Sequence, residues 1–146
     1  MANYAKIGLN NIVLEVQFIN NKECMNDEGE FIDQIGIDKL VELTGHAAWV
    51  RCSFNTSGNI WYPSKDGESI NDKSPFRLNY PKDEWYYDAT LDGFIQPAIP
   101  NLPTWVLNET TGLREAPVPY PTDGERYKWN NDTLQWDQLD SDEYYV

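Results

Sequence analysis

The residues of this chain with the most reactive side chains are few and poorly spaced for chemistry. The single histidine, His46, stands six residues before Cys52, and the only other thiol is Cys24. A His–Cys nucleophile pair is conceivable, but a thiol acting as a small buried hydrophobe is the ordinary reading. No Cys-x-x-Cys or His-Glu-x-x-His run is present, so the zinc signatures are missing. Neither a Gly-x-x-x-x-Gly-Lys-Ser/Thr loop nor Gly-x-Gly-x-x-Gly occurs, so nothing marks a phosphate cradle. A Gly-x-Ser-x-Gly elbow is also absent. Paired carboxylates hydrolyse glycosides, but 24 Asp and Glu residues supply such pairs by chance. The oxygens of Asp88–Asp92 and Asn130–Asp132 suit turn formation and do not fit the twelve-residue calcium loop. The expectation is a chain with no catalytic residue, no cofactor and no metal.

The tryptophans carry more information. Trp85, Trp105, Trp129 and Trp136 lie in or beside a repeated pattern. Three readings compete: a platform for sugars or other rings, large side chains that give small elements a core, and anchors of a protein interface. The pattern is an apolar residue, an Asp or Asn, a polar turn and a second apolar residue. It runs Tyr87-Asp88 to Gly93-Phe94, Leu107-Asn108 to Gly112-Leu113, and Trp129-Asn130 to Trp136. The Asx recurs at 88, 108 and 130. Each unit reads as a short β-hairpin, its Asx bonded to its own turn and its apolar flanks meeting across the strands. One such hairpin is marginal in water. Three must stack on each other, on the rest of the chain, or on a partner. Between them, Pro97–Pro103 and Ala116–Pro121 favour extended polyproline geometry.

The elements that precede the repeats read as a small α+β unit. Ala5, Ile7 and Leu9 alternate, as do Ile12, Leu14, Val16 and Phe18, around Asn10-Asn11. Asn tolerates positive φ, so Tyr4–Leu9 and Ile12–Ile19 form an expected hairpin. Phe31, Ile32, Ile35, Ile37, Leu40, Val41 and Leu43 have helical spacing, with Asp27 or Asp33 as start, Gly45 as stop and Gly36 as a weak point. Trp49–Phe54 and Ile60–Tyr62 read as strands joined by turn formers at 55–59. The expected architecture is mostly β within the α+β class. A ββαββ domain over 1–62 leads through a connector over 63–84, with a turn at Ser64–Gly67, to tandem hairpins over 85–146. The acidic end, Asp140–Val146, is expected to need a partner to become ordered.

Charge and length bound the function. The chain has 146 residues and a net charge of −13, with 11 Lys and Arg. A domain of this length buries roughly two-thirds of its unfolded surface. The acidic balance argues against a nucleic-acid partner and against an anionic membrane surface. No apolar run approaches a membrane span, and Met1–Leu9 has no signal-peptide pattern. The expectation is a chain made in a cytosol with free thiols.

Several runs, taken in order, resemble one family. They are Ala5-Lys6-Ile7-Gly8-Leu9-Asn10-Asn11; Thr44-Gly45 to Trp49; Ser53-Phe54-Asn55-Thr56; and Pro75-Phe76-Arg77-x-Asn79-Tyr80. They continue with Phe94-Ile95-x-Pro97; Pro103-x-Trp105-x-Leu107-Asn108-Glu109-x-Thr111; Ala116-Pro117-Val118-Pro119-Tyr120-Pro121-x-Asp123-Gly124; and Tyr127-x-Trp129-Asn130 to Trp136. The series is similar to small virion-associated proteins of marine tailed phages, especially those infecting cyanobacteria. Pro81–Glu84 and Leu113 depart from that pattern. The resemblance implies a virion component made in a bacterial cytoplasm, and it brings no catalytic residue. The leading expectation is a non-enzymatic capsid decoration or cement protein, present in many copies and bound to other virion proteins. The alternatives are a neck, tail or tail-fibre-associated subunit, or a glycan-binding host-recognition module. The expected interface residues are Trp85, Tyr87, Phe94, Trp105, Leu107, Tyr120, Trp129 and Trp136.

Overall fold

The computed structural model describes residues 1–63 and 73–140. The expected turn at Ser64–Gly67 and most of the acidic tail, from residue 141 on, lie outside the described residues. Among the described residues the protein is mostly β, with one α-helix and several small antiparallel hairpins. It divides into two compact units. The first holds Met1–Pro97 and Glu109–Leu113, the second Ala98–Asn108 and Arg114–Val146.

In the first unit, β1 (Ala2–Ile7) is the middle strand of a three-stranded antiparallel sheet. On one side it pairs with β2 (Val13–Ile19), and on the other with β3 (Trp49–Cys52). Asn10 and Asn11 turn β1 into β2 with φ of 57° and 61°, and the Ile12 N–H closes the turn on the Leu9 carbonyl at 3.2 Å. That is a primed two-residue turn, whose twist matches the flanking strands. Its register slips by one residue after Lys6, so Ile7 faces Val13.

The period of two sends alternate residues of β1 to opposite faces. Ala2 and Tyr4 pack with Ile19, Cys24, Leu40 and Trp49, and the helix residues Ile37 and Val41 close over them. The helix α1 (Asp33–Thr44) starts at one of the two expected acids and stops at Gly45, which is left-handed at φ 77°. Gly36 is a requirement of this packing. A Cβ there would lie 2.3 Å from the Tyr4 hydroxyl, so only glycine lets helix and sheet approach so closely.

The other face of the sheet is built from Ala5, Ile7, Val13 and Cys52, and it is covered by Phe94 with Tyr80 and Tyr87. Phe94 belongs to the first repeat hairpin, β6 (Tyr86–Asp88) and β7 (Gly93–Ile95). The Val13 N–H donates to the Trp85 carbonyl at 2.7 Å and the Glu84 N–H to the Val13 carbonyl at 3.0 Å, which ties that hairpin to β2. Ile60–Tyr62, expected as a second strand after the helix, holds β5 (Ile60–Trp61). It pairs with β4 (Thr56–Ser57) across a Gly58-Asn59 turn and not with the three-stranded sheet.

The second unit carries the hairpin β10 (Tyr127–Asn130) and β11 (Gln135–Gln138). The middle repeat pairs β8 (Val106–Asn108) with β9 (Leu113–Glu115). Pro97–Pro103 is not a continuous extended arm. The Leu102 N–H returns to the Ile99 carbonyl at 3.0 Å, and the Trp105 N–H to the Leu102 carbonyl at 3.1 Å. A proline sets φ but does not prevent the residues after it from turning.

Candidate interaction site

The three repeats share a left-handed residue at one distance from the Asx, and in the first and third the Asx side chain also caps the turn. The Asp88 carboxylate accepts the N–H groups of Thr90 and Leu91, both at 2.9 Å. The Asn130 side-chain oxygen accepts those of Asp132 at 2.9 Å and Thr133 at 3.1 Å. Four residues after each Asx the chain is left-handed: Asp92 has φ 49°, Gly112 φ 72° and Leu134 φ 56°. The Asx satisfies the turn donors, and the left-handed residue returns the chain to the second strand. A further side-chain bond recurs seven residues on, from Asn108 Nδ2 to Glu115 Oε1 at 3.2 Å and from Asn130 Nδ2 to Asp137 Oδ2 at 2.9 Å.

Tyr87 lies directly opposite Phe94 in the first hairpin, with ring centroids 5.4 Å apart. Phe94 is fully buried, so it is a core residue of the first unit and not the surface anchor expected of it. Tyr87 is half-buried, and its hydroxyl donates to Asp92, which also pairs with Arg77 at 3.0 Å. That hydroxyl, with the Arg77 charge, holds the Asp92 carboxyl below its usual range. Trp85 is half-buried and fixed through its backbone to β2. Leu107 is half-buried in the second unit.

Trp105, Tyr120, Trp129 and Trp136 converge in the second unit. Trp136 is the hub. Its ring centroid lies 4.9 Å from Tyr120, 5.1 Å from Trp129 and 6.3 Å from Trp105, with interplanar angles of 73°, 68° and 67°. Edge-to-face contact of this kind suits the ring quadrupoles. Polar bonds fix two of the indoles in place. The Trp136 indole N–H donates to the Val118 carbonyl at 2.8 Å, and that of Trp129 to Thr104 Oγ1 at 2.8 Å. The Thr104 hydroxyl passes on to Asn131 Oδ1 at 2.9 Å. Tyr127, which the sequence reading did not select, stacks edge-on to Tyr120 at 5.9 Å. Its hydroxyl donates to Asp123, which pushes the Tyr127 phenol up to about 12.

A groove of about 490 Å³ opens beside this cluster, lined by Trp105, Tyr120, Trp136, Glu115 and the run Ala116–Pro119. No described residue of the second unit is buried, and Tyr120 is 48 % exposed. The rings gather, but their own unit covers them only in part: Trp105, Trp129 and Trp136 are half-buried and Tyr120 is exposed.

Sequence reasoning also missed Asn79, which is 1 % exposed. Its Oδ1 accepts the Gly58 N–H at 2.7 Å, and its Nδ2 donates to the carbonyls of Phe94 at 3.0 Å and Thr111 at 2.7 Å. One amide thus fastens the tips of two hairpins to β7. Its only signal was the run Pro75-Phe76-Arg77-x-Asn79-Tyr80.

The reactive groups serve packing. His46 Nε2 lies 2.8 Å from the Ile7 carbonyl, and burial pushes the Cys52 thiol up to about 12, far from nucleophilic. Among the described residues no group of three His, Cys, Asp or Glu is placed to hold a metal, and no helix is long and apolar enough to cross a membrane. No known protein family, curated protein or solved structure matches the chain.

Proposed function

We propose that this chain is a non-enzymatic structural protein of a tailed-phage virion, a decoration or cement protein on the outside of the head. The observation that carries the interface part of this reading is the second unit: four converging rings and no buried residue among those described. Aromatic surface left partly uncovered is the usual material of interface hot spots. The ordered series of sequence runs supports the virion part. In this reading the three-stranded sheet with its helix forms the stable body, and the run Ala116–Pro119 along the groove helps present the rings to other capsid subunits with little entropy left to lose. Copies of a −13 chain side by side repel one another, and salt screens that repulsion.

The test is co-sedimentation of purified protein with particles that lack it, with copies per particle counted by quantitative mass spectrometry. Saturation at hundreds of copies on tailless heads is the expected result. A handful of copies, present only on tailed particles, identifies a neck or tail subunit instead. Attachment weakens as ionic strength falls. If low salt leaves every copy bound, charge screening is not what permits assembly.

A further inference from the structure

The first unit twice builds the same three-part arrangement from a ring, a guanidinium and a carboxylate. Arg51 pairs with Asp33 while its Cζ lies 4.1 Å from the centre of the Phe76 ring and 5.1 Å from that of Phe31. Arg77 pairs with Asp92 at 3.0 Å while its Cζ lies 4.7 Å from the Phe76 centre and 5.9 Å from that of Tyr87. In the second unit the groove offers aromatic rings and a carboxylate with no cation among its lining residues. Trp105, Tyr120 and Trp136 line it with Glu115.

We infer that this groove receives an arginine side chain presented by the protein partner. The inference rests on the interface reading above and names what the partner brings. Trp105 and Tyr120 stand at 67° and 73° to Trp136, so the rings form corners and not one flat platform. A pyranose ring lies flat on an indole and needs several polar partners around its rim, whereas the groove wall is mostly indole, phenol and proline. A guanidinium is planar and weakly hydrated, and it lies on a ring face while its fork reaches a carboxylate. Lysine offers a compact, strongly hydrated charge that fits this site less well. Glu115 Oε1 already accepts Asn108 Nδ2 at 3.2 Å, which orients the carboxylate, and an ionised carboxylate has capacity for further donors. The chain's charge of −13 draws a cationic partner surface toward it.

The test uses the full chain and follows the indole N–H resonances by NMR during titration with N-acetyl-arginine amide. N-acetyl-citrulline amide, of the same shape without the charge, is the comparison. The Trp105 and Trp136 resonances move saturably with the arginine derivative, and roughly tenfold more of the citrulline derivative is needed, because the cation–π and ion-pair contributions are both lost. Glu115→Gln, at an exposed residue, weakens arginine binding by roughly threefold or more. An equal response to citrulline, no saturable shift, an unaltered response in Glu115→Gln, or stronger shifts with glucose or tetramethylammonium overturns the inference. Co-sedimentation with particles separates the two claims. A chain that binds particles but ignores the arginine derivative overturns this inference alone, and one that takes arginine but never binds particles overturns the virion reading.

Discussion

Trp136 lies directly opposite Trp129 across the last hairpin, with ring centroids 5.1 Å apart, and seven residues separate them as seven separate Tyr87 from Phe94. The same cross-strand position therefore holds a ring pair in the first and third repeats, while in the second the residue seven on from Leu107 is Arg114. Because Trp136 also touches Trp105 and Tyr120, it is the residue through which the second unit coheres. Trp136→Ala removes three ring contacts and the bond to Val118. A loss of about 2 kcal/mol is expected, below the range for a fully buried tryptophan because the ring is partly exposed. Trp129→Phe keeps a ring pair and loses about 1 kcal/mol, including the bond to Thr104. Urea denaturation followed by near-ultraviolet circular dichroism measures both. Equal midpoints for the two variants contradict the hub role.

Leu134 pays a backbone penalty that the second repeat avoids. It sits at φ 56° where the second repeat has Gly112 at φ 72°. A branched residue there costs roughly 1 kcal/mol relative to glycine, partly offset by the greater freedom of glycine in the unfolded chain. Leu134 is 44 % exposed, so little packing is lost with its side chain. Leu134→Gly is expected to raise stability by about 0.5 kcal/mol with an unchanged urea m-value. A lower midpoint shows that the leucine makes contacts worth more than its strain.

Local rules made the hairpins legible. Asn10-Asn11 as a turn, Gly45 as a helix stop, and Asp88 and Asn130 as turn acceptors are decided by residues a few positions apart. What stayed hidden depends on the far side of the fold. Gly36 looks like a flaw in a helix until Tyr4, 32 positions earlier, is seen beneath it. Phe94 looks like its third-repeat counterpart Trp136, yet it is fully buried because its hairpin is the one that covers the sheet. Asn79 lies in a stretch without periodicity, and its partners at Gly58, Phe94 and Thr111 are 15 to 32 residues away. Among the candidate interface residues, sequence spacing identified the rings but not which of them would converge.

Asn79 provides the most severe substitution outside the sheet. Asn79→Ala leaves one half-buried N–H and two carbonyls without their partner. The expected loss is about 3 kcal/mol. Asn79→Asp is expected to be worse at neutral pH, because a carboxylate oxygen replaces the amide nitrogen that faces the Phe94 and Thr111 carbonyls. Chemical denaturation ranks the two. If Asn79→Asp matches the parent chain, the amide does not hold the hairpin tips.

The Tyr87–Asp92 bond makes stability depend on pH at both ends of the scale. The Tyr87 hydroxyl and then Arg77 depress the Asp92 carboxyl. A depressed carboxyl contributes stability above its unfolded pKa of about 4, and that contribution disappears as pH falls through the folded value. The Tyr87 phenol is raised, first by burial and then by Asp92. A raised phenol contributes fully below its unfolded pKa of about 10, and the contribution is lost as pH rises through the folded value. Asp92→Asn is therefore expected to flatten the acid limb of the stability profile and soften the alkaline one, while Tyr87→Phe removes the alkaline contribution of this phenol. Thermal midpoints measured across the pH range test this, and an acid limb unchanged in Asp92→Asn refutes it.

Gly36→Ala pits helix propensity against packing. In an exposed helix the change gains about 1 kcal/mol. Here the new Cβ would stand 2.3 Å from the Tyr4 hydroxyl, 2.8 Å from its Cζ and 2.9 Å from Cys24 Sγ. Tyr4 is fully buried and its hydroxyl donates to the Asp33 carbonyl at 3.4 Å, so it has no room to yield. Overpacking of about 1–3 kcal/mol is added to the strained bond, and the net effect is a destabilisation of about 2 kcal/mol. Adding Tyr4→Phe removes the nearest atom but leaves the ring carbon, so the double variant recovers part of the loss and not all of it. That non-additivity is read from urea midpoints of the two single variants and the double. A stabilised Gly36→Ala would mean that helix and sheet stand farther apart than a glycine contact requires.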